Sequence, residues 1–269
     1  MEIWGGNRAI DEHVLAPGIE AWVHARPHAG DAAGGDVHYV SACAGGKITR
    51  FAVADVSGHG ASVDGFAQSL RGLMRRFINT PDQSRFTREL NTEFARVAEA
   101  GIFATALLAT YFAPTDQLIV VNAGHPRPMV RRARTGAWEV LDGATSDAPG
   151  IRNLPLGIID PTEYAQFVVS LEPGDEVVVV TDSVVEAPGP SGGMLGEAGV
   201  LGVLGAMSAC APSERIGRFL GAVRAFRPDA EFQDDVTVVW IHHTGAAGPR
   251  RGLVEHLHTL GRMLGLESV

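Results

Sequence analysis

Cysteine is scarce in this sequence of 269 residues, and its scarcity excludes the disulfide-built class of small secreted folds. Cys43 and Cys210 are the two cysteines. Two are too few for a disulfide framework, and their separation does not match the paired spacing of a zinc site. We therefore expect two buried, reduced thiols.

Long apolar runs and an excess of basic residues are also lacking. No run approaches the roughly 18 to 20 apolar residues that a membrane span needs. The first residues, MEIWGGNRAIDEHV, carry acids where a signal peptide carries bases. The net charge of −9 argues against non-specific binding to nucleic acid or to anionic membranes. The sequence predicts a cytoplasmic protein with neither nucleic acid nor a membrane as partner.

Short β-strands joined by tight turns dominate the chain, and no internal repeat interrupts them. Alternating or apolar runs predict strands at 19–25, 36–42, 48–54, 104–112, 118–121, 129–132, 138–141, 166–171, 176–180 and 236–241. Helical spacing predicts one helix with Phe66, Leu70 and Met74 on its face, one after a Ser84 cap, and one after a Ser213 cap. The glycine- and proline-rich stretch 188–199 indicates a mobile loop. Because the turns are short, antiparallel sheets with helices on their outer faces are favoured, in an α+β fold.

The chain divides into three segments by composition. Residues 1–18 form a polar, glycine-rich N-terminal extension, and residues 19–244 form one main domain. Residues 245–269 form a linker and a short amphipathic helix. That helix either docks on its own domain or binds a partner.

Four acids stand at strand ends, beginning with Asp55 in the stretch FAVADVSGHG. Asp36 opens a predicted strand, Asp55 and Asp182 each close one, and Asp234 opens the last. The glycines at 45 and 46 predict a hairpin that sets Asp36 near Asp55. Carboxylate oxygens suit Mg²⁺ and Mn²⁺, and four of them suit a two-metal site for attack on phosphorus. Alternatively, each acid only caps a turn.

Six short motifs in order give these acids a context. They are GGD at 34–36, ADVSGHG at 54–60, NAGHP at 122–126, LPLG at 154–157, TDSVVEA at 181–187 and DDVT at 234–237. Together they resemble the metal-dependent serine/threonine phosphatases of the PPM type, and more closely the bacterial branch typified by the stage II sporulation protein E phosphatase. The resemblance extends over roughly residues 19–242, so the main domain is interpreted as a phosphatase domain.

The resemblance implies an αββα sandwich, two antiparallel sheets flanked by helices, with two Mn²⁺ or Mg²⁺ ions at one edge. The implied metal ligands are Asp36, Asp55 as the bridging ligand, the Val56 backbone carbonyl, Asp182 and Asp234, with Asp235 supporting them from behind. The implied reaction is hydrolysis of phosphoserine or phosphothreonine by a metal-activated water. The implied substrate is an anti-sigma-factor antagonist in a partner-switching pathway. The chain is interpreted as a bare catalytic module, so we expect its activity to be controlled through a partner or a homodimer.

Other residues near the motifs have two interpretations each. His59 either protonates the leaving alkoxide or only holds its loop, and Arg26 either grips a phosphate or is simply solvated. His125 is expected to be a structural residue of its turn. His242 and His243 are adjacent in a strand, so they point to opposite faces and do not share a metal.

Arg127 stands where the family has a second proline after NAGH, and two further positions depart from the family pattern in the segments that carry the acids. Ser183 follows Asp182 where the family has glycine, and we expect it to crowd the turn; Tyr39 stands where an acid is frequent. The alternatives to a protein phosphatase are therefore a non-catalytic, phosphatase-like interaction protein with a weakened metal site, and a phosphatase acting on small phosphoesters.

Overall fold

Twelve strands and five α-helices form the described part of the chain. The computed structural model describes residues 2–58, 61–98, 101–143, 152–189, 193–226 and 232–246. The strands are β1 (Glu2–Gly6), β2 (Ile10–Ala16), β3 (Ile19–Arg26), β4 (Asp36–Cys43), β5 (Ile48–Val56), β6 (Ala104–Phe112), β7 (Gln117–Ala123), β8 (Met129–Arg131), β9 (Trp138–Val140), β10 (Gln166–Ser170), β11 (Glu176–Val180) and β12 (Val236–His243). The helices are α1 (Ala61–Phe77), α2 (Gln83–Val97), α3 (Asp182–Val185), α4 (Gly196–Ala206) and α5 (Arg215–Arg224).

The strands form two six-stranded sheets. The first has the order β1-β4-β5-β6-β7-β10, and the second has the order β2-β3-β12-β11-β8-β9. Every pairing between named strands is antiparallel. Helices α1 and α2 pack on the outer face of the first sheet, and α4 and α5 pack on the second. The predicted αββα sandwich is confirmed.

Side-chain alternation within each strand separates three apolar cores. In β4, Val40 belongs to the core between the sheets, whereas Val37 and Tyr39 face α1 and α2. In β12, Val239 faces the other sheet and Trp240 faces α4 and α5. Because successive residues of a strand point to opposite faces, the face of a strand-end residue follows from its neighbours.

Helix α4, which packs on the second sheet, was not predicted from the sequence. Its sequence, GEAGVLGVLGA, is rich in glycine, a poor helix former. Val200, Val203 and Leu204 are nevertheless buried against the second sheet, and this packing outweighs the weak propensity. The predicted mobile loop at 188–199 thus ends in a helix that begins at Gly196.

The cap of α2 is also different from the prediction. Asp82, not Ser84, is the N-cap residue, and its Oδ1 accepts hydrogen bonds from the backbone N–H groups of Ser84 (2.9 Å) and Arg85 (3.2 Å). An ionised carboxylate is a strong acceptor at a helix N-terminus, so the acid takes the role two residues earlier.

The segment predicted as an N-terminal extension contributes one edge strand to each sheet. Strand β1 pairs with β4, and β2 pairs with β3 over its whole length. Strand β1 is short and ends in two glycines, so it carries little alternation, and β2 has three consecutive polar residues, Asp11, Glu12 and His13, that break the alternation. The division of the chain into domains stays a prediction, and the predicted C-terminal helix lies outside the described residues.

The cysteines are free, as predicted, but both are only half-buried. Among the described helices, none combines the length and the apolar character needed to cross a bilayer.

Candidate metal centre

Asp36 and Asp55 lie side by side in the first sheet. They are direct cross-strand partners in the β4–β5 pair, as the predicted hairpin required. Their side chains share the face of Val40 and Val53, which belong to the core between the sheets. Asp36 is buried and Asp55 is half-buried. Both carboxyl groups therefore face the second sheet from the end of two adjacent strands.

Thr181 connects the second sheet to Asp36. Its hydroxyl donates a hydrogen bond of 3.0 Å to Asp36 Oδ2. The Thr181 hydroxyl oxygen also accepts the backbone N–H of Thr237 at 2.9 Å, and the Thr181 N–H donates to the Thr237 carbonyl at 3.1 Å. Asp182 follows immediately as the first residue of α3. The end of β11 is thus held against β12 and brings Asp182 to the same edge as Asp36.

Asp235 holds the GGD loop from behind. Its carboxylate accepts three backbone N–H groups, from His28 (2.7 Å), Gly35 (2.5 Å) and Asp36 (3.1 Å). A Cβ atom on Gly34 would lie 1.9 Å from Asp235 Oδ2, so this approach requires glycine. Because its oxygens are occupied by backbone donors, Asp235 is suited to positioning Asp36.

Asp234 differs from its neighbour. It is half-buried, and its Oδ1 accepts the N–H of Asp235 at 2.8 Å. Within the described residues its second carboxylate oxygen makes no hydrogen bond that would fix it in the loop, which leaves Asp234 the better candidate ligand of the pair.

The carboxyl groups act strongly on one another. Burial, followed by the charges of Asp182 and Asp234, raises the pKa of Asp55 to about 8. Burial and the adjacent Asp55 raise the pKa of Asp36 well above its usual range. Burial and the charges of Asp235 and Asp182 raise the pKa of Asp234. The carboxyl of Asp55 thus lies within electrostatic reach of Asp36, Asp182 and Asp234, and bound cations would remove the penalty on its ionisation.

The donor set suits hard cations, although it does not form a finished coordination shell. All four side chains offer oxygen, the ligand type of Mg²⁺ and Mn²⁺. A Cβ atom on Gly35 would lie 2.8 Å from the Val56 carbonyl oxygen, so glycine leaves that carbonyl uncovered. No group of three His, Cys, Asp or Glu side chains within the described ranges is arranged to hold a metal as it stands. The residues fit the predicted metals by position and chemistry, and their roles as ligands stay predictions.

A fifth acid at the rim was not predicted. Burial and the charges of Asp182 and Asp234 raise the pKa of Glu186, which lies just after α3. The spacing of four residues between Asp182 and Glu186 was the available signal, since one helical turn brings such residues together.

Arg26 reaches the predicted edge of the sandwich but is engaged elsewhere. Its Nη1 donates to the carbonyls of Ile10 and Ala25, each at 2.8 Å, and its Nη2 lies 3.5 Å from Asp11. A phosphate-binding role would require it to leave these contacts. His59 lies outside the described residues, so neither of its two interpretations is tested.

His125 is part of the protein interior. It is buried, its Nδ1 lies 2.9 Å from Thr105 Oγ1, and Asn122 closes its turn through two hydrogen bonds of 2.8 Å. Burial lowers the pKa of His125 to about 3, so the ring is neutral. His243 is likewise buried against Tyr111 and Asp116, whereas His242 points to the other face of β12.

The two departures from the family pattern leave the acids in place. Ser183 lies within α3, in helical conformation, so the expected crowding of a tight turn is wrong. Tyr39 is buried beneath α1, on the face of β4 opposite to Asp36, where an aromatic residue fills the helix–sheet core. Tyr39 therefore places no group among the four carboxylates.

A family model supplies the deciding comparison. The model described as "Stage II sporulation protein E (SpoIIE)" matches residues 45–244. The chain belongs to the SpoIIE family. The predicted resemblance to PPM-type phosphatases, and to this bacterial branch of them, is confirmed. A search of curated proteins gave no match.

Solved structures share the fold of this SpoIIE-family chain. The RsbU and RsbW domains of Rv1364c from Mycobacterium tuberculosis have a TM-score of 0.68 and 21% identity, over 90% of this chain and 64% of that chain. The PP2C phosphatase domain of SpoIIE from Bacillus subtilis, with a fragment of its regulatory domain, has a TM-score of 0.70 and 16% identity, over 87% of this chain and 64% of that one. RsbX in complex with magnesium has a TM-score of 0.62 and 15% identity, over 87% of this chain and 99% of that one. The chain thus spans 64% of each of the first two structures.

Proposed function

We propose that this chain is a metal-dependent phosphatase of phosphoserine or phosphothreonine in proteins. The observation that carries the proposal is the convergence of Asp36 and Asp55 from one sheet with Asp182 and Asp234 from the other. Family membership and the similarity to PP2C phosphatase domains support it.

The proposed ligands of two Mn²⁺ or Mg²⁺ ions are Asp55 as the bridge, Asp36, the Val56 carbonyl, Asp182 and Asp234. When bound, such ions supply a nucleophilic water at neutral pH and neutralise charge on the phosphoryl oxygens. The similarity to RsbX in complex with magnesium supports this cofactor class.

The chain's own residues would then act by positioning. Thr181 fixes the rotamer of Asp36 across the sheets, and Asp235 fixes the backbone that carries Asp36. Burial of Asp36 excludes water from one side of the site and strengthens its electrostatic interactions. No side chain is required as a covalent nucleophile in this proposal.

The proposed substrate is the phosphorylated form of an anti-sigma-factor antagonist in a partner-switching pathway. The resemblance to the SpoIIE branch and the structural similarity to the RsbU and RsbW domains of a mycobacterial protein support this choice. A small phosphoester is the competing substrate class.

The test is a phosphatase assay on p-nitrophenyl phosphate and on a phosphoserine peptide, each with Mn²⁺ and with EDTA. We expect turnover that requires Mn²⁺ and is lost in Asp55→Asn. The matched control is Asp142→Asn, which changes an exposed acid paired with Arg127 and should keep full activity.

Three outcomes would contradict the proposal. Turnover insensitive to EDTA would exclude metal dependence. Turnover of p-nitrophenyl phosphate without turnover of any phosphopeptide would favour the small-phosphoester alternative. Mn²⁺ binding by calorimetry without turnover of either substrate would favour a non-catalytic interaction protein.

A further inference from the structure

A cleft of about 710 Å³ opens beside β1, apart from the four acids. One wall is formed by β1 and the turn that follows it. The other wall is formed by α1, through Gln68, Arg71 and Arg75. The volume lies within the range of ligand-binding pockets and exceeds what one small ion fills.

The cleft is basic although the chain is acidic. Arg8, Arg71 and Arg75 line it, and Glu2 is the one acid among its lining residues. Glu2 Oε1 lies 2.5 Å from Arg71 Nη2, and Glu2 Oε2 lies 3.6 Å from Arg75 Nε. Asp64 adjoins the cleft, because its carboxylate accepts hydrogen bonds from the lining residues Asn7 and Gln68. Three cations against these two carboxylates leave a net positive charge, in a protein whose overall charge is −9. An anionic group is the complementary ligand.

Two buried nitrogen atoms of residues that line the cleft have no hydrogen-bond partner in the part of the chain that the structure describes. They are His38 Nδ1 and Arg71 Nε, and the His38 side chain is only 4% exposed. Buried polar groups in folded proteins are nearly always paired, so each such nitrogen indicates a missing partner. A bound oxygen acceptor would pair with Arg71 Nε, and with His38 Nδ1 in the tautomer that carries its proton there.

The strand beside the cleft has an open edge. Strand β1 is the terminal strand of the first sheet, and among the described strands it pairs with β4 alone. An unpaired edge presents backbone N–H and C=O groups to which an extended segment adds as a further strand.

We propose that this cleft binds an acidic, extended peptide segment of a partner protein. The segment would pair with the free edge of β1 and place its carboxylates against Arg8, Arg71 and Arg75. The chain's own residues 247–269 contain three arginines and two glutamates, so they do not offer an acidic occupant. The charge of the cleft therefore favours a partner.

Asn7 connects the cleft to the metal centre. Its Nδ2 donates to the Gly34 carbonyl at 2.8 Å and to Asp64 Oδ1 at 2.7 Å, and the Gly34 N–H donates to the Asn7 carbonyl at 2.9 Å. Gly34 lies two residues before Asp36, and Asp64 lies in the first turn of α1. Peptide binding would thus act on the loop that carries Asp36. This coupling rests on the proposed function, whereas the binding itself does not.

The experiment measures the fluorescence anisotropy of a labelled peptide in which glutamate and valine alternate. The comparison peptides replace glutamate by glutamine, or place a proline at the centre. We expect the glutamate peptide to bind most tightly and the double variant Arg8→Gln/Arg75→Gln to weaken it about tenfold. Both arginines are exposed, so the variant should keep its melting temperature.

The matched control is Arg134→Gln. Arg134 is an exposed arginine between β8 and β9, at the far edge of the other sheet, and its loss should not change the affinity. Equal binding of the glutamine peptide would overturn the acidic preference, and equal binding of the proline peptide would overturn strand addition. Displacement of the peptide by an equal concentration of inorganic phosphate would show that the cleft binds small anions and is not a peptide site.

Binding is measured in Asp55→Asn as well as in the wild type. With EDTA present, so that metal bound at the other site does not contribute, we expect the same affinity in both, because Asp55 does not line the cleft. Peptide binding without phosphatase activity would contradict the proposed function only, and activity without peptide binding would contradict this inference only.

Discussion

The hydroxyl of Thr181 donates a 3.0 Å hydrogen bond to Asp36, and this bond joins the two sheets of the sandwich at the candidate metal centre. Thr181 directly follows β11 in the second sheet, and Asp36 begins β4 in the first. The bond engages the Oδ2 atom of the Asp36 carboxylate. Thr181, the residue before Asp182, thus positions the Asp36 carboxylate of the opposite sheet.

Replacing Thr181 by valine tests that positioning role. The change keeps the shape of the side chain and removes the hydroxyl, so Asp36 loses its donor. We expect Mn²⁺ affinity and kcat to fall by about 10- to 100-fold, the usual effect of losing a partner behind a metal ligand. Calorimetry and steady-state assays measure the two quantities.

The matched variant is Thr181→Ser, which keeps the hydroxyl. It should retain most of the metal affinity that valine loses. If serine and valine were equally impaired, packing of the methyl group would explain the effect and the hydrogen bond would not.

Gly34→Ala tests the anchoring of the GGD loop. The new Cβ would lie 1.9 Å from Asp235 Oδ2, so the loop and Asp235 must separate. We expect a loss of roughly 1–3 kcal/mol in the free energy of unfolding, together with weaker Mn²⁺ binding. Urea unfolding in EDTA measures the stability apart from the metal.

Gly217→Ala is the control for that change. Gly217 lies within α5, and a Cβ there would meet no atom within 4 Å. Because alanine is the better helix former, this variant should be more stable by about 0.5–1 kcal/mol. A neutral Gly34→Ala would show that the loop relaxes freely around Asp235.

Asp55→Asn should affect stability and metal response in opposite directions. Burial and the charges of Asp182 and Asp234 raise the pKa of Asp55 to about 8, far above its value in the unfolded chain. Its stabilising contribution is therefore complete below about pH 4 and is lost as the pH rises toward 8. In EDTA at pH 8, we expect the variant to melt at a higher temperature than the wild type.

With Mn²⁺ added, the order should reverse. The wild type should gain stability by binding metal, since a ligand of the folded state shifts the unfolding equilibrium. The variant should show little gain. A variant with an unchanged EDTA melting temperature, or with a full Mn²⁺ response, would argue against like-charge crowding at Asp55.

The pairing of Asp36 with Asp55 was predictable because it depends on local rules. The double glycine at 45 and 46 indicates a hairpin, and the hairpin register then sets the two acids opposite each other. The face of each strand follows from alternation in the same way. Local pattern therefore accounts for half of the candidate site.

The other half depends on contacts between distant segments. The Thr181–Asp36 bond spans 145 residues, and no periodicity encodes the spacing between two sheets. Only the order of the motifs indicated that Asp182 and Asp234 join the first pair. Edge strand β1 and helix α4 escaped prediction because glycine weakens both patterns and tertiary packing decides them.

Because two histidines are buried in neutral form, we expect the free energy of unfolding to fall in acid. Burial lowers the pKa of His125 to about 3, and burial together with Arg71 lowers the pKa of His38 to about 4. In the unfolded chain both titrate near 6.5, so the unfolded state takes up protons first as the pH falls. Each neutral ring thus contributes stability that is present above pH 6.5 and is lost toward pH 4. The slope reaches about 1.4 kcal/mol per pH unit for each fully titrating group.

His125→Asn isolates one of these contributions. The variant should be less stable than the wild type at pH 8, because the contact with Thr105 is lost. Its stability should nevertheless fall less steeply between pH 6.5 and 4.5, because one proton uptake site of the unfolded state is gone. Chemical unfolding in EDTA across this range measures both slopes. Parallel slopes for wild type and variant would mean that His125 accepts a proton in the folded protein, and that its burial against Thr105 does not hold the ring neutral.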